Sequence, residues 1–256
     1  MATTGQRAFT RLLVADEAHG PLPVLLLGLT VVIGVVDAVS ILALGRVFVA
    51  NMTGNVVFIG FALAGAVGFS LAASLIGLAG FLVGASGGGR LIARMGSDRA
   101  RLLAVAVTVE LGLFGTATAV VGLTAQPVPV STRDVAVAVL AVATGLQNAV
   151  ARRLAVPDLT TTVLTMTLTG IASDIRAGIR SAALARRVLA VATMLAGAIV
   201  GAELVLNEGP TAALATGSAL LALIAAAGWQ TTRYSGAWRG MTQPPLAPKP
   251  APHGGK

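Results

Sequence analysis

Residues 21–65 read PLPVLLLGLTVVIGVVDAVSILALGRVFVANMTGNVVFIGFALAG. The first part, Pro21 to Leu44, is long enough to cross a bilayer, which takes about 20 mostly apolar residues. One carboxylate, Asp37, interrupts it. The second part, Asn51 to Gly65, is apolar but short, and it opens on Asn51, Thr53 and Asn55. This pairing of a long apolar run with a short, polar-headed one decides the fold class, because it recurs later in the chain.

The totals agree with a membrane. The chain has 256 residues, is 55% hydrophobic and 11% charged, and has a mean hydropathy of +0.86. A soluble domain is about 25% charged. With so few charges a soluble surface would be covered in apolar patches and would aggregate. Long apolar runs also occupy Ser70 to Gly87, Leu102 to Ala125, Val135 to Val150, Val188 to Leu206 and Pro210 to Trp229. A second short, threonine-rich stretch covers Asp158 to Ile171. The expected fold is an all-α polytopic transmembrane bundle of six spans, with two short re-entrant or broken helices.

Charge orients the spans. The net charge of +8 comes mostly from arginines that lie between the apolar runs, so it speaks for topology rather than for nucleic acid. Arg90, Arg94, Arg99 and Arg101 follow the second long run. Arg152 and Arg153 follow the fourth, Arg176, Arg180, Arg186 and Arg187 precede the fifth, and Arg233, Arg239 and Lys249 follow the last. If both short stretches re-enter, all these clusters and both termini fall in the cytoplasm, as expected for a protein of the inner (plasma) membrane. A seven-span arrangement, with Asn51 to Gly65 crossing and the N-terminus outside, also satisfies the loops. The expected organisation is a cytoplasmic segment (1–20) without a cleavable signal, a first membrane repeat (21–125), a loop (126–134), a second repeat (135–230) and a disordered cytoplasmic tail (231–256).

The repeat rests on three matches in the same order. Gly34 to Val39 resembles Gly145 to Val150, 111 positions on; Val49 to Val56 resembles Val156 to Val163, 107 on; Leu78 to Ala85 resembles Leu195 to Ala202, 117 on. Each copy holds three spans, an odd number, so the second enters from the opposite side. Inverted repeats of this kind build many secondary transporters, with the substrate at the midplane between halves.

The polar residues concentrate at matching places. Asp37 costs about 2.5–3.5 kcal/mol at the bilayer centre on insertion scales, so it faces protein or water or is protonated. It reads either as a coupling site for a proton or cation, or as a polar anchor for a neighbouring helix end. Gln147 and Asn148 hold the matching place in the second copy. Asn51, Thr53 and Asn55 pair with Asp158, Thr160, Thr161 and Thr162. Asn and Asp suit helix N-caps, and a helix N-terminus at membrane depth offers free N–H groups to an anionic or polar ligand. Capping and helix glue are the plainer use of the same residues. Glu110 is a second intramembrane acid and a second candidate for coupling. Gly80 and Gly84, like Gly197 and Gly201, are spaced four apart and suit close helix packing, within the chain or in a homo-oligomer.

Other chemistry finds little support. The absence of cysteine removes disulfides and thiolate sites, and the two histidines, His19 and His253, lie outside the apolar runs. Gly84-Ala85-Ser86-Gly87-Gly88 fits G-x-S-x-G, but without a strand-to-helix turn or a histidine base it is a chance match. No enzyme, metal, cofactor or nucleic-acid partner is expected. The expected partners are the lipid bilayer and a small solute or ion.

Two motifs carry a family resemblance. Gly34 to Ser40 followed by Leu44 to Asn55, and Gly145 to Arg153 followed by Val156 to Thr165, resemble the YoaK family of bacterial membrane proteins over roughly residues 21–230. The resemblance implies about six transmembrane segments and, since the family is classed as a domain of unknown function, no substrate. The expected function is a small-solute or ion permease with a midplane site between inverted halves; a non-transporting membrane scaffold is the alternative.

Overall fold

A computed structural model describes residues 19–124, 127–157, 164–176 and 182–240. These residues form α1 (Leu22–Leu42), α2 (Met52–Leu63), α3 (Leu71–Met95), α4 (Arg99–Gly122), α5 (Val130–Leu154), α6 (Leu164–Arg176), α7 (Ala182–Asn207), α8 (Pro210–Thr231) and a 3-10 turn at Ala237–Arg239. Among the described residues, six helices (α1, α3, α4, α5, α7 and α8) are long and apolar enough to cross a membrane. At 1.5 Å per residue they run about 30–40 Å, against a hydrocarbon core of about 30 Å.

Several helices outrun their apolar stretches. The run Ser70 to Gly87 continues as α3 to Met95, and Val135 to Val150 extends in α5 to Val130 and Leu154. The apolar stretch marks only part of each of these helices. Arg94, Arg152 and Arg153 sit in the last turns, where a cation complements the helix dipole and its stem can reach past the apolar zone. Ser70 caps α3 by accepting the Ala73 N–H, and Asp98 caps α4 by accepting the Arg101 N–H.

The helices pack in pairs. α3 lies along α5 and α1 along α7, and in each pair one backbone presses on the other through glycine. A Cβ added at Gly84 would strike the Val142 backbone, and one at Gly88 would meet Leu146. A Cβ at Gly197 would strike the Val31 backbone, and one at Gly201 would meet Val35. Gly145 and Gly34 return the contact, against Phe81 and Ala85 and against Met194 and Ala198 respectively. Numbers rise together across each seam, so both pairs are parallel. The two seams correspond position by position, 111 apart on α1 and α5 (31 and 142) and 113 apart on α3 and α7 (84 and 197). The sequence match at 117, which sets Gly80 with Gly197, is thus one helical turn out of step.

Directions follow from these contacts. α4 and α8 are antiparallel, because Gly122 meets Thr211, Phe114 meets Gly217 and Ala104 meets Gly228. Tight turns make α3 and α4, and α7 and α8, antiparallel. Since α1 follows α7, α1 and α3 must run in opposite directions, and so must α5 and α7. The chain therefore leaves α1 and enters α3 on the same side of the bundle, and it leaves α5 and enters α7 on one side as well. This rules out the seven-span arrangement on geometry. Length agrees: the 12 residues of α2 reach about 18 Å, well short of a span.

One end of the bundle is strapped. Residues 231–240, read as part of a disordered tail, are held against it. Arg239 pairs with Asp98, and Arg99 donates to the Trp238 and Leu154 carbonyls. Partial burial would raise the Asp98 pKa, but the Arg239 guanidinium and the backbone N–H groups at the α4 cap hold it below the usual carboxylate value. The Trp238 ring lies on Gly20, whose φ of +53° and lack of Cβ allow the contact.

Candidate functional site

The link from α1 to α2 turns back into the bundle. After α1 ends at Leu42, Gly45 and Arg46 take positive φ and reverse the chain. Thr144, next to the midpoint of α5, donates its hydroxyl to the Val49 carbonyl. The start of α2 therefore lies near mid-depth, and α2 leads back outward to α3. Asn55, fully buried, stiffens this corner. Its Nδ2 donates to the Phe48 carbonyl at 2.6 Å, and its Oδ1 accepts the Phe48 N–H at 2.9 Å. Both main-chain groups of an irregular buried segment are thereby satisfied. Gly77 of α3 makes room for the Asn55–Phe48 unit, since a Cβ there would meet Asn55 at 3.0 Å.

Beside this corner lies a cavity of about 670 Å³. Its polar lining comes from both parts of the chain: Asp37 of α1, Asn51 and Thr53 at the start of α2, Asn148 of α5 and Thr165 of α6. Ile33, Phe48, Phe58, Phe81, Met52 and Met194 supply apolar walls. The Phe48 and Phe58 rings stack with centroids 5.5 Å apart. The Ala50 backbone N–H serves the Asp37 carboxylate, while the buried Asp37 Oδ1 has no hydrogen-bond partner. Asn51 stands at the N-cap of α2, yet its side chain makes no capping bond. The first intrahelical bond runs from the Asn55 N–H to the Asn51 carbonyl. That leaves the N–H groups of Met52, Thr53 and Gly54, all at the cavity, to be met from outside the helix.

The structure sorts the candidate residues. It brings Asp37, Asn51, Thr53 and Asn148 to one cavity. Asn55 is spent on the backbone clamp. Gln147 is buried beside Asn148 with neither amide atom partnered, and Glu110 is fully buried in α4 with both carboxylate oxygens unpartnered; neither lines the cavity. Asp158, Thr160, Thr161 and Thr162 lie outside the described residues. Gly80, Gly84, Gly197 and Gly201 all face helices of the same chain. Among the described residues no cluster of side chains could hold a metal ion.

Three features escaped the sequence reading. Thr144 had a signal, since a hydroxyl in mid-run needs a partner. The aromatic wall had a partial one: its members Phe48 and Phe58 fall with Phe61 and Phe69 in a short stretch that holds four of the seven phenylalanines. Met194 had none, because a methionine in an apolar helix is ordinary.

Comparison with known proteins now places the chain. A family model described as protein of unknown function (DUF1275) matches residues 25–227. The chain belongs to that family. It is also similar to the UPF0700 transmembrane protein YoaK of Bacillus subtilis (strain 168), 33% identical over 147 residues. That match covers 56% of this chain and 62% of the relative, less than two thirds of its length. No solved structure matches. The resemblance to the YoaK family stands, and this member of the DUF1275 family is a multi-pass membrane protein with a polar cavity set among its spans.

Proposed function

We propose that the protein carries a small polar solute across the membrane, by exposing the cavity alternately from the two sides of two inverted repeats. The first repeat comprises α1 to α4 and the second α5 to α8. The observation that supports this most is the composition of the cavity. Asp37, Asn51 and Thr53 reach it from one repeat, and Asn148 and Thr165 from the other. Polar side chains at membrane depth are costly and mark solute paths. A half-helix N-terminus at mid-depth is the feature by which inverted-repeat transporters hold polar groups. The matching seams α3–α5 and α1–α7 give each repeat the same grip on the other, as an exchange between two mirror-related openings requires.

By the same reading, the arginine-bearing ends face the cytoplasm of a cell inner membrane, with both termini. α2 then re-enters from outside and α6 from the cytoplasm. The alternative, a non-transporting scaffold, called for glycine faces free to meet another subunit. Gly80, Gly84, Gly197 and Gly201 are occupied within the chain, so the transporter reading is preferred.

The chain has no cysteine, which makes the test clean. Thr53→Cys and Asn148→Cys, placed singly, should react with a membrane-impermeant thiol reagent added to either side of sealed, oriented vesicles. Labelling from one side only, or none at either site, contradicts the proposal and favours the scaffold.

A further inference from the structure

We infer that the cavity takes a small zwitterion, with its ammonium group at Asp37 and its carboxylate at the N-terminus of α2. This rests on the transporter reading and names the class of solute.

The walls have an unusual charge pattern. Asp37 brings a carboxylate whose Oδ1 is buried and unpartnered. No arginine or lysine lines the cavity among the described residues. The start of α2 lines the same cavity, with three N–H groups unmet by its own helix and no capping bond from Asn51. A helix N-terminus carries about half a positive charge.

These two features select against other classes. A simple anion finds donors at α2 but no cationic side chain, and it meets the Asp37 charge. A simple cation pairs with Asp37 yet leaves the α2 donors at mid-depth without an acceptor, where an unmet polar group is costly. A sugar needs many polar partners, and much of this wall is phenylalanine, methionine and isoleucine. A zwitterion meets both ends at once, so each of its charges gains a partner that offsets its desolvation. Phe48, Phe58 and Phe81 then offer apolar surface to the rest of the solute.

Val57 lines the cavity without a polar role, so Val57→Cys in the full-length protein is the reporter. The probes are L-alanine, L-leucine and L-phenylalanine. For L-leucine, 3-methylbutylamine and 4-methylpentanoate each keep one charged end. At least one amino acid should slow thiol labelling of Val57→Cys, and the amine or acid should need about 10–100-fold more for equal protection, as expected for loss of a charge-assisted partner. Adding Asp37→Asn should abolish protection while leaving the probe-free labelling rate unchanged, which shows an intact cavity. Asp37→Glu should retain protection. The inference is overturned if no amino acid protects a reporter that does label, if the amine or the acid protects as well as the amino acid, or if Asp37→Asn keeps protection. Two-sided labelling of Thr53→Cys and Asn148→Cys without any protection would remove the zwitterion and leave the transporter; one-sided labelling would remove the transporter itself.

Discussion

The glycine seams and the cavity are built from the same kinds of helices at the same depth, yet they spend their residues in opposite ways. Along the seams no space is left: Gly84 and Val142, like Gly197 and Val31, bring backbones into direct contact. Beside the cavity, hydrogen-bonding capacity is left over at Asp37 and at the first turn of α2. The lesson is that tight packing and unmet polarity are separated within one bundle. The seam contacts run through glycine and backbone, and neither the Asp37 carboxylate nor the first turn of α2 takes part in them.

The sharpest way to break this contrast is to overfill a seam. Gly84→Leu or Gly197→Leu should destabilise the detergent-solubilised protein by about 3 kcal/mol or more, at the upper end of overpacking costs. On the same helix α3, a Cβ added at Gly87 or Gly89 meets nothing within 4 Å. Gly87→Leu and Gly89→Leu should be neutral, or stabilising by up to about 1 kcal/mol through helix propensity. Thermal unfolding of the four variants compares them directly. Equal melting shifts for Gly84→Leu and Gly87→Leu would show that the seam is not where the contacts put it.

A smaller effect sharpens the other side of the contrast. Replacing a capping Asn by Ala usually costs about 1 kcal/mol. Asn51 occupies the cap position of α2 without making the bond, so Asn51→Ala should leave the melting temperature nearly unchanged. A full capping loss would mean that Asn51 serves the helix and not the cavity.

Much of this was legible in the residues. Apolar run length gave six spans, because lipid thickness leaves little choice. The convergence of Asp37, Asn51, Thr53 and Asn148 followed from their matching places in two similar stretches. What stayed hidden depended on contacts between distant segments. Asn55 carries the same polar signal as Asn51, and only the path of Phe48 reveals it as a clamp. Glu110 and Gln147 read as site residues because polarity in an apolar run says nothing of direction around the helix; both point into packed interior instead. The one-turn slip between the sequence match and the seams has a simple cause. Gly80, Gly84 and Gly88 recur every four residues, so an alignment shifted by a turn looks nearly as good, and the Val142 and Val31 contacts were needed to choose.

The central claim is that α2 starts near the middle of the membrane and returns to the side from which the chain entered. Its most direct test is the depth of single spin labels at Asn51→Cys and Leu63→Cys, read by collision with oxygen and with a water-soluble nickel complex in bilayers. The account predicts that the label at 63 lies at the surface, on the same side as one at Leu42→Cys, with the label at 51 well below it. Labels at 42 and 63 on opposite faces would make α2 part of a crossing and contradict the account.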